Sequence, residues 1–414
     1  MNSSNDLHMS CCIVGGGPAG MMLGFLLARA GVEVAVLEKH GDFLRDFRGD
    51  TIHPSTLQIM QELGLLDEFL KHKHSEVRDF TMRFEGVEYP IADFRYIPTT
   101  CKFLAFMPQW DFLDFLAERG AAFPQFHLLM NTAATELLRA NGRVSGVRAR
   151  GPNGDFDITS ALVVGADGRH STIRAAAQFS QTAAGAPIDV LWMRVTRRPG
   201  DPAAVLGNFA GGTVFFMLNR DEFWQCAYII PKGTLDSLKE AGIESVRAKI
   251  AACVPYMADR LGEIASWDDL KLLTVKVDRL PRWYGDGVLC IGDAAHAMSP
   301  IGGVGINLAV QDAVAAANIL AEPLARGTLK NDDLARVQRR RTFPMRVIQF
   351  LQVAIQNGIL SPALAGKRVK PPFAFGLLRR FPVLRRLPAF LIGIGPRPEH
   401  VRSPNAHPDA PRAA

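Results

Sequence analysis

Between Cys11 and His40 the chain reads CCIVGGGPAGMMLGFLLARAGVEVAVLEKH. An apolar strand, a glycine turn, an apolar helix and a second apolar strand follow one another without a break. No other feature restricts the fold as much. Two strands joined by a helix pair in parallel, and a parallel sheet needs cover on both faces. Inside the unit, Gly15-Gly16-Gly17-Pro18-Ala19-Gly20 matches G-x-G-x-x-G. Gly15 permits the tight turn, Gly17 lets backbone N–H groups approach a pyrophosphate, and Gly20 lets the helix lie close to the strand. The helix read as Gly20–Arg29 points its positive end at those phosphates. The second strand ends in Glu38, 18 positions after Gly20. That is near the ~20 expected of an acid that bonds a ribose hydroxyl. Such an acid favours an adenosine with a free 2′-hydroxyl, as in FAD or NAD. Lys39, which follows it, is the kind of group NADP would prefer.

A second stretch, VLCIGDAAHAMSPIGGVGINLAVQDA from Val288 to Ala313, repeats the theme. A short apolar strand stops at Gly292-Asp293, and the glycine loop Ile301 to Asn307 opens an Ala-rich helix. An acid at a strand tip can accept a hydrogen bond from a sugar-alcohol hydroxyl. A glycine loop at a helix start offers backbone N–H groups to a ring that becomes anionic on reduction. Asp293 alone could equally be an N-cap.

Between these units the pattern predicts a helix from Pro54, a hairpin Phe80–Phe84 with Val87–Phe94, and a helix Gln109–Arg119. Turn signals at Asn141-Gly142 and Pro152-Asn153-Gly154 predict a three-stranded meander over Thr135–Thr159, followed by a separate strand Ala161–Gly165. Asp189–Thr196, Thr213–Asn219, Phe223–Pro231 and Leu272–Asp278 read as strands, with a helix Leu235–Ala252 among them. Past Asn331 the pattern is helical and basic.

With 48% hydrophobic and 21% charged residues the chain is globular, and a net charge of +6 without a basic aromatic stripe excludes nucleic acid as a partner. The six cysteines have no metal or C-x-x-C spacing, which predicts reduced, buried thiols in a cytoplasmic protein and no metal site. The N-terminus lacks a secretory pattern, and no apolar run reaches the ~18 residues of a membrane span.

Three motifs in order resemble the class A flavoprotein monooxygenases, the family of para-hydroxybenzoate hydroxylase and the ubiquinone-pathway hydroxylases. They are GGGPAG with Glu38, Val164-Gly165-Ala166-Asp167-Gly168-Arg169, and Gly292-Asp293-Ala294-Ala295-His296. RGDTIHPSTLQIMQELG from Arg48 to Gly64 adds to the likeness. The resemblance spans about residues 10 to 330. It implies an α/β Rossmann-like FAD-binding fold of ββα layers, with a β-sheet substrate domain inserted and a C-terminal helical region. The expected division is 1–78, 100–180 and 284–330 for FAD, 79–99 and 181–283 for substrate, 331–395 helical, and 396–414 a loose tail.

The resemblance also implies roles. Gly15, Gly17 and Gly20 would cradle the pyrophosphate with Pro18 and Ala19, and Glu38 beside Lys39 would hold the ribose. Arg48 would contact the ribityl–phosphate region with Gln109 near it, and Ala134 the adenine. Asp167 would serve FAD and NAD(P)H together, and Asp293 the ribityl chain. Pro300 would flank the flavin, and Gly303, Val304, Gly305, Ile306 and Asn307 would meet its pyrimidine edge. The implied activity is hydroxylation of an aromatic or lipophilic small molecule with NAD(P)H and O2 through a flavin C4a-hydroperoxide. A prenyl-lipid reductase type or a halogenase on the same fold is the alternative. Trp224 to Pro231 only loosely echoes the halogenase W-x-W-x-I-P motif.

No catalytic base is assigned, and His53 and His296 read as structural. One face of the inserted sheet, carrying Trp224, Cys226, Tyr228 and Ile230, Trp192 and Arg194, or Phe215 and Met217, is expected to line a pocket. KRVKPPFAFGLLRRFPVLRR, Lys367 to Arg386, reads as a helix capping the core with its arginines in water, rather than as a peripheral membrane contact.

Overall fold

The computed structural model describes residues 6–44, 51–183, 185–202, 207–365 and 371–407. Two sheets organise them. The larger has eight strands. Its parallel part runs Val288–Cys290, Gly154–Gly165, Leu7–Val14, Val34–Leu37, Phe126–Leu129 from one side to the other. The tips are in register: Val14 pairs with Gly165 and with Leu37, and Gly165 with Cys290. Val34–Leu37 and Val288–Cys290 are buried on both faces, which is why they read as unbroken apolar runs, and Leu7–Val14 and Gly154–Gly165 become so toward their carboxyl ends. Helix Pro18–Arg29 lies against the sheet so closely that a Cβ on Gly24 would meet Val36 at 2.5 Å. Helices Gly305–Ala325 and Gln109–Gly120 pack beside it.

The meander is present, but its third strand runs on without interruption from Gly154 to Gly165. Its first half pairs antiparallel with Arg143–Gly151, and the strand pairs in parallel with Leu7–Val14 over most of its length. One strand therefore replaces the two expected.

The second sheet orders seven strands as Lys271–Thr274, Ile188–Thr196, Phe223–Pro231, Thr213–Asn219, Gly207–Ala210, Asp79–Phe84, Val87–Asp93. The hairpin from the first part of the chain thus joins the inserted strands, through a parallel pairing of Gly207–Phe209 with Met82–Phe84. The expected helix Leu235–Ala252 is two, Leu235–Glu240 and Ile243–Cys253, because Gly242 turns at φ +81° between them. Leu272–Asp278 likewise splits into Lys271–Thr274 and Asp278–Arg279.

All six cysteines are free and buried. Two helices, Ile301–Ala325 and Asn331–Leu364, are long and apolar enough to cross a membrane by length and composition, although polar and charged residues interrupt both, so neither is an unbroken apolar run. The first is 83% buried inside the protein, so its apolarity is spent on the core.

Pro396–His407 is not loose. Glu399 is 2% exposed and takes Arg340 at 2.6 Å and Arg341 at 3.4 Å. Arg341 also donates to Asp312 at 2.8 Å, and Asp312 accepts from His296 at 2.6 Å. The segment then runs along Asn318, which bonds His400 and Arg402, and ends with Ala406 N–H donating to Arg29 at 2.9 Å. A charge pair buried this deeply is costly to break, because the surviving partner stays desolvated.

Glu399→Ala therefore lowers stability by about 3 kcal/mol, read as a fall in the denaturant midpoint at unchanged slope. Burial pushes the Asp312 carboxyl up, but His296 and Arg341 outweigh it and hold it below the ordinary carboxylate range. Its contribution is complete above the unfolded value of ~4 and is lost as pH falls through the lower folded value. In Asp312→Asn the acid limb of the stability profile flattens, and an unchanged limb would refute this reading.

Candidate cofactor and active site

The in-register strand tips bring three motifs to one edge of the larger sheet. Gly15 follows Val14, Ala166-Asp167 follows Gly165, and Ile291 to Asp293 follow Cys290. Ligands of open α/β sheets bind at such a carboxyl edge.

The glycines of the first turn differ in what they avoid. Gly15 sits at φ +111°, and a Cβ there would lie 2.5 Å from the Ala166 carbonyl. On Gly20 a Cβ would meet the Gly15 carbonyl at 1.9 Å. Gly17 is not required to be glycine by the protein itself, since a Cβ there would meet nothing within 4 Å. It is also the N-cap of Pro18–Arg29, with no side chain capping the helix, so the N–H groups that follow Pro18, those of Ala19 and Gly20, are left for an acceptor. Glu38 is buried at the next strand tip. Its two oxygens accept from Gly16 N–H at 3.1 Å and His40 N–H at 3.0 Å, which fixes the carboxylate. Lys39 is exposed. Thr132 N–H donates to the Glu38 carbonyl at 2.8 Å, so the strand that begins at Ala133 and carries Ala134 starts beside the acid. Gln109 opens its helix, which packs on Pro18–Arg29. Arg48 lies outside the described residues.

At the other end Pro300 caps a single turn, Ile301–Gly303, in which Gly302 and Gly303 both have positive φ. Helix Gly305–Ala325 follows from Val304, again without a side-chain cap. The segment Val304 to Asn307 thus presents a second uncapped N-terminus. Asn307 does not aim its side chain at a ligand. Its Oδ1 accepts from His53 N–H at 2.9 Å and Thr56 Oγ1 at 2.7 Å, and its Nδ2 donates to the Thr51 carbonyl at 3.2 Å. Asp293 accepts from Arg169 at 3.4 Å and keeps about a third of its side-chain exposure. Asp167 Oδ2 caps Thr172 and Ile173, whereas its Oδ1 is buried with no partner.

Sequence reading missed the residues that hold this loop. Gln349, Gln352 and Gln356 line one face of the C-terminal helical stretch, buried, at spacings of three and four. Gln349 donates to the Ala297 carbonyl, Gln352 bonds Ser299 and Ile301, and Gln356 donates to Ser299 Oγ at 2.8 Å. Three amides on the core side of a helix were the available signal. Arg174, buried, ties the second motif to the third by donating to the carbonyls of Ala294 at 3.0 Å and Arg169 at 2.7 Å. His53 donates from Nδ1 to the Ile392 carbonyl at 2.7 Å, and burial lowers its pKa to about 4, so it is neutral near pH 7. His296 packs against Trp283 and binds Asp312, a structural role.

The face with Trp224, Cys226, Tyr228 and Ile230 packs with Phe215 and Met217 under Ile243–Cys253 and is interior. Arg194 is exposed and stacks on Phe223 at 3.8 Å. The opposite face, Ile188, Val190, Phe209, Val214 and Ile229 with Trp192 and Phe216, shares a cluster with Ile301 of the loop. Trp192 Nε1 is buried without a partner.

The residues fit an extended dinucleotide: an open glycine at one helix start, an acid fixed beside it, and a second open helix start across the same sheet edge. Comparison with known proteins agrees. The family described as an FAD binding domain matches residues 8–351. 6-Methylpretetramide 4-monooxygenase of Streptomyces rimosus is 34% identical over 397 residues, 93% of each chain. The p-nitrophenol 4-monooxygenase PnpA from Pseudomonas putida DLL-E4 superposes with a TM-score of 0.75 at 20% identity, over 96% of this chain and 100% of that one. The chondrochloren halogenase CndH, a myxobacterial protein, does so at 0.74 and 20%, over 92% and 90%. Both structures share the fold, so the fold alone does not separate hydroxylation from halogenation. The motifs, the matched family and the full-length relative together make this chain a member of the FAD-dependent class A monooxygenases.

Proposed function

We propose that the chain holds one extended FAD along the carboxyl edge of its larger sheet and hydroxylates a fused polycyclic aromatic substrate, with NADH or NADPH as electron donor. The observation that carries the substrate class is the apolar sheet face opposite Ile301, where the buried indole N–H of Trp192 has no acceptor. The relative that matches over nearly the whole chain is named for oxidation of a polycyclic compound. Bound here, the flavin supplies the redox chemistry that places one atom of O2 on the substrate.

The protein's own groups bind and position. Gly15, Gly17, Pro18, Ala19 and Gly20 present backbone to the pyrophosphate, and Glu38 takes the ribose hydroxyls. Ala134 borders the adenine, Gln109 lies near the ribityl–phosphate region, Asp167 serves FAD and NAD(P)H together, and Asp293 accepts from the ribityl chain. The backbone of Val304, Gly305, Ile306 and Asn307 offers N–H groups and a helix end to the ring edge that gains negative charge, with Gly303 and Pro300 shaping the turn before it, where the Gly303 N–H donates to the Pro300 carbonyl. At the apolar sheet face Trp192, beside Phe216, donates to a substrate oxygen. An unmet buried donor costs on the order of 1–3 kcal/mol, and a substrate carbonyl or phenol relieves it.

Two glycines separate cofactor binding from folding. Gly17→Ala leaves the apoprotein's melting temperature near wild type but cuts FAD affinity at least about tenfold. Gly20→Ala destabilises the apoprotein itself, since its Cβ would overlap the Gly15 carbonyl. Equal effects of both substitutions on the apoprotein would refute the assignment.

Turnover with isotopically labelled O2 and a panel of polycyclic phenols tests the activity. The product carries one labelled oxygen. An unlabelled or chlorinated product would overturn hydroxylation. Trp192→Phe keeps its flavin and lowers kcat/KM about tenfold, mainly through KM, and an unchanged kcat/KM removes Trp192 from the site.

A further inference from the structure

Between Leu334 and Pro398 the chain has thirteen lysines and arginines and no aspartate or glutamate, although its whole net charge is only +6. The remainder is therefore net negative, and the positive charge is gathered in one region. The same stretch holds ten of the fourteen large apolar side chains that are exposed among the described residues.

The two properties meet on Phe373–Arg380, Pro382–Arg385 and Arg386–Gly393. These short helical pieces pack over strand Val87–Asp93 at the edge of the smaller sheet. They do cap the core, as the sequence suggested, but with one side only: Leu378, Ala389 and Gly393 are buried. On the other side Phe373 is 84% exposed, Leu387 66% and Val383 60%. The arginines flank them. Arg379 lies over the Tyr89 ring at 5.7 Å, and Arg386 over Tyr96 at 4.2 Å. Aromatic contacts of this kind hold the cations beside the apolar tips.

Exposed large apolar side chains gathered in one region mark an interaction site. A second copy of the chain is a poor occupant. A closed twofold contact would set Arg379, Arg380 and Arg386 against their own images, with no acid nearby in the sequence. Protruding Phe, Leu and Val interleaved with arginines instead match the boundary layer of a lipid bilayer, where apolar tips enter the acyl region and guanidinium groups meet phosphates. We propose that Phe373–Gly393 is a docking face for an anionic phospholipid membrane. Its last turn backs onto the cofactor loop, since the Ile392 carbonyl holds His53, whose N–H is held by Asn307.

Cosedimentation of the full-length, flavin-loaded protein with vesicles tests this. Vesicles of phosphatidylglycerol with phosphatidylcholine bind it at least about tenfold better than phosphatidylcholine alone, and binding falls as salt is raised. The combined variant Phe373→Ser, Val383→Ser, Leu387→Ser loses about tenfold in vesicle binding while keeping its flavin and its sedimentation coefficient. In Arg379→Gln with Arg380→Gln and Arg386→Gln the preference for the anionic lipid disappears. Phe381→Trp, which keeps an aromatic ring at the face, shows a blue-shifted emission only with anionic vesicles. The proposal is overturned if the wild-type protein binds neither vesicle or both equally. It is also overturned if that protein sediments as a dimer which the serine variant converts to monomer, because the face then belongs to a second copy.

Discussion

The register of three parallel strands carries the rest of the structure. Val14, Gly165 and Cys290 lie side by side at one sheet edge, although the last two are far from the first in sequence. A slip of one residue in either pairing would turn every side chain of a strand to the wrong face. It would also separate the glycine turn from the two acidic tips. Burial on both sides specifies that register, and the register in turn makes one long ligand the natural occupant of the edge.

A second constraint acts on the loop at the far end. A glycine-rich turn with two positive-φ residues has little intrinsic preference for a single shape. Here its shape is imposed from outside. Asn307 is bonded to Thr51, His53 and Thr56 in front, and Gln352 and Gln356 hold Ser299 and Ile301 behind. Two uncapped helix starts can then face a ligand without first ordering themselves, which is the condition for electrostatic stabilisation at little reorganisation cost.

Much of this was legible in the sequence, for a physical reason. Strand, glycine turn, helix and terminal acid at fixed spacing are a local code, and Gly15, Gly20 and Glu38 stand where that code puts them. The strands of the smaller sheet were legible through alternation, and Thr213–Asn219 and Phe223–Pro231 have the expected bounds. What alternation could not give was the side on which each face would find a partner. Tyr228 and Trp192 looked equivalent as a pocket lining until Ile243–Cys253 covered one side. The glutamines, Arg174 and the Glu399 strap act over long sequence separations, and nothing near them in the chain announces the carbonyl or carboxylate they will meet. A polar residue at a core-facing helical position is the trace such contacts leave.

The strap has a bearing on biosynthesis. Asp312 and Arg341 pair in the dry interior, and Glu399, near the end of the described residues, gives the Arg341 guanidinium a second carboxylate. A nascent polypeptide can pair its first strands early, but Arg341 lacks its second carboxylate until residue 399 has left the ribosome. Such long-range closures are slow steps. The segment around Glu399 thus locks the helix leading away from the cofactor loop, and a chain stopped before it would keep its motifs but leave these interior contacts unmade.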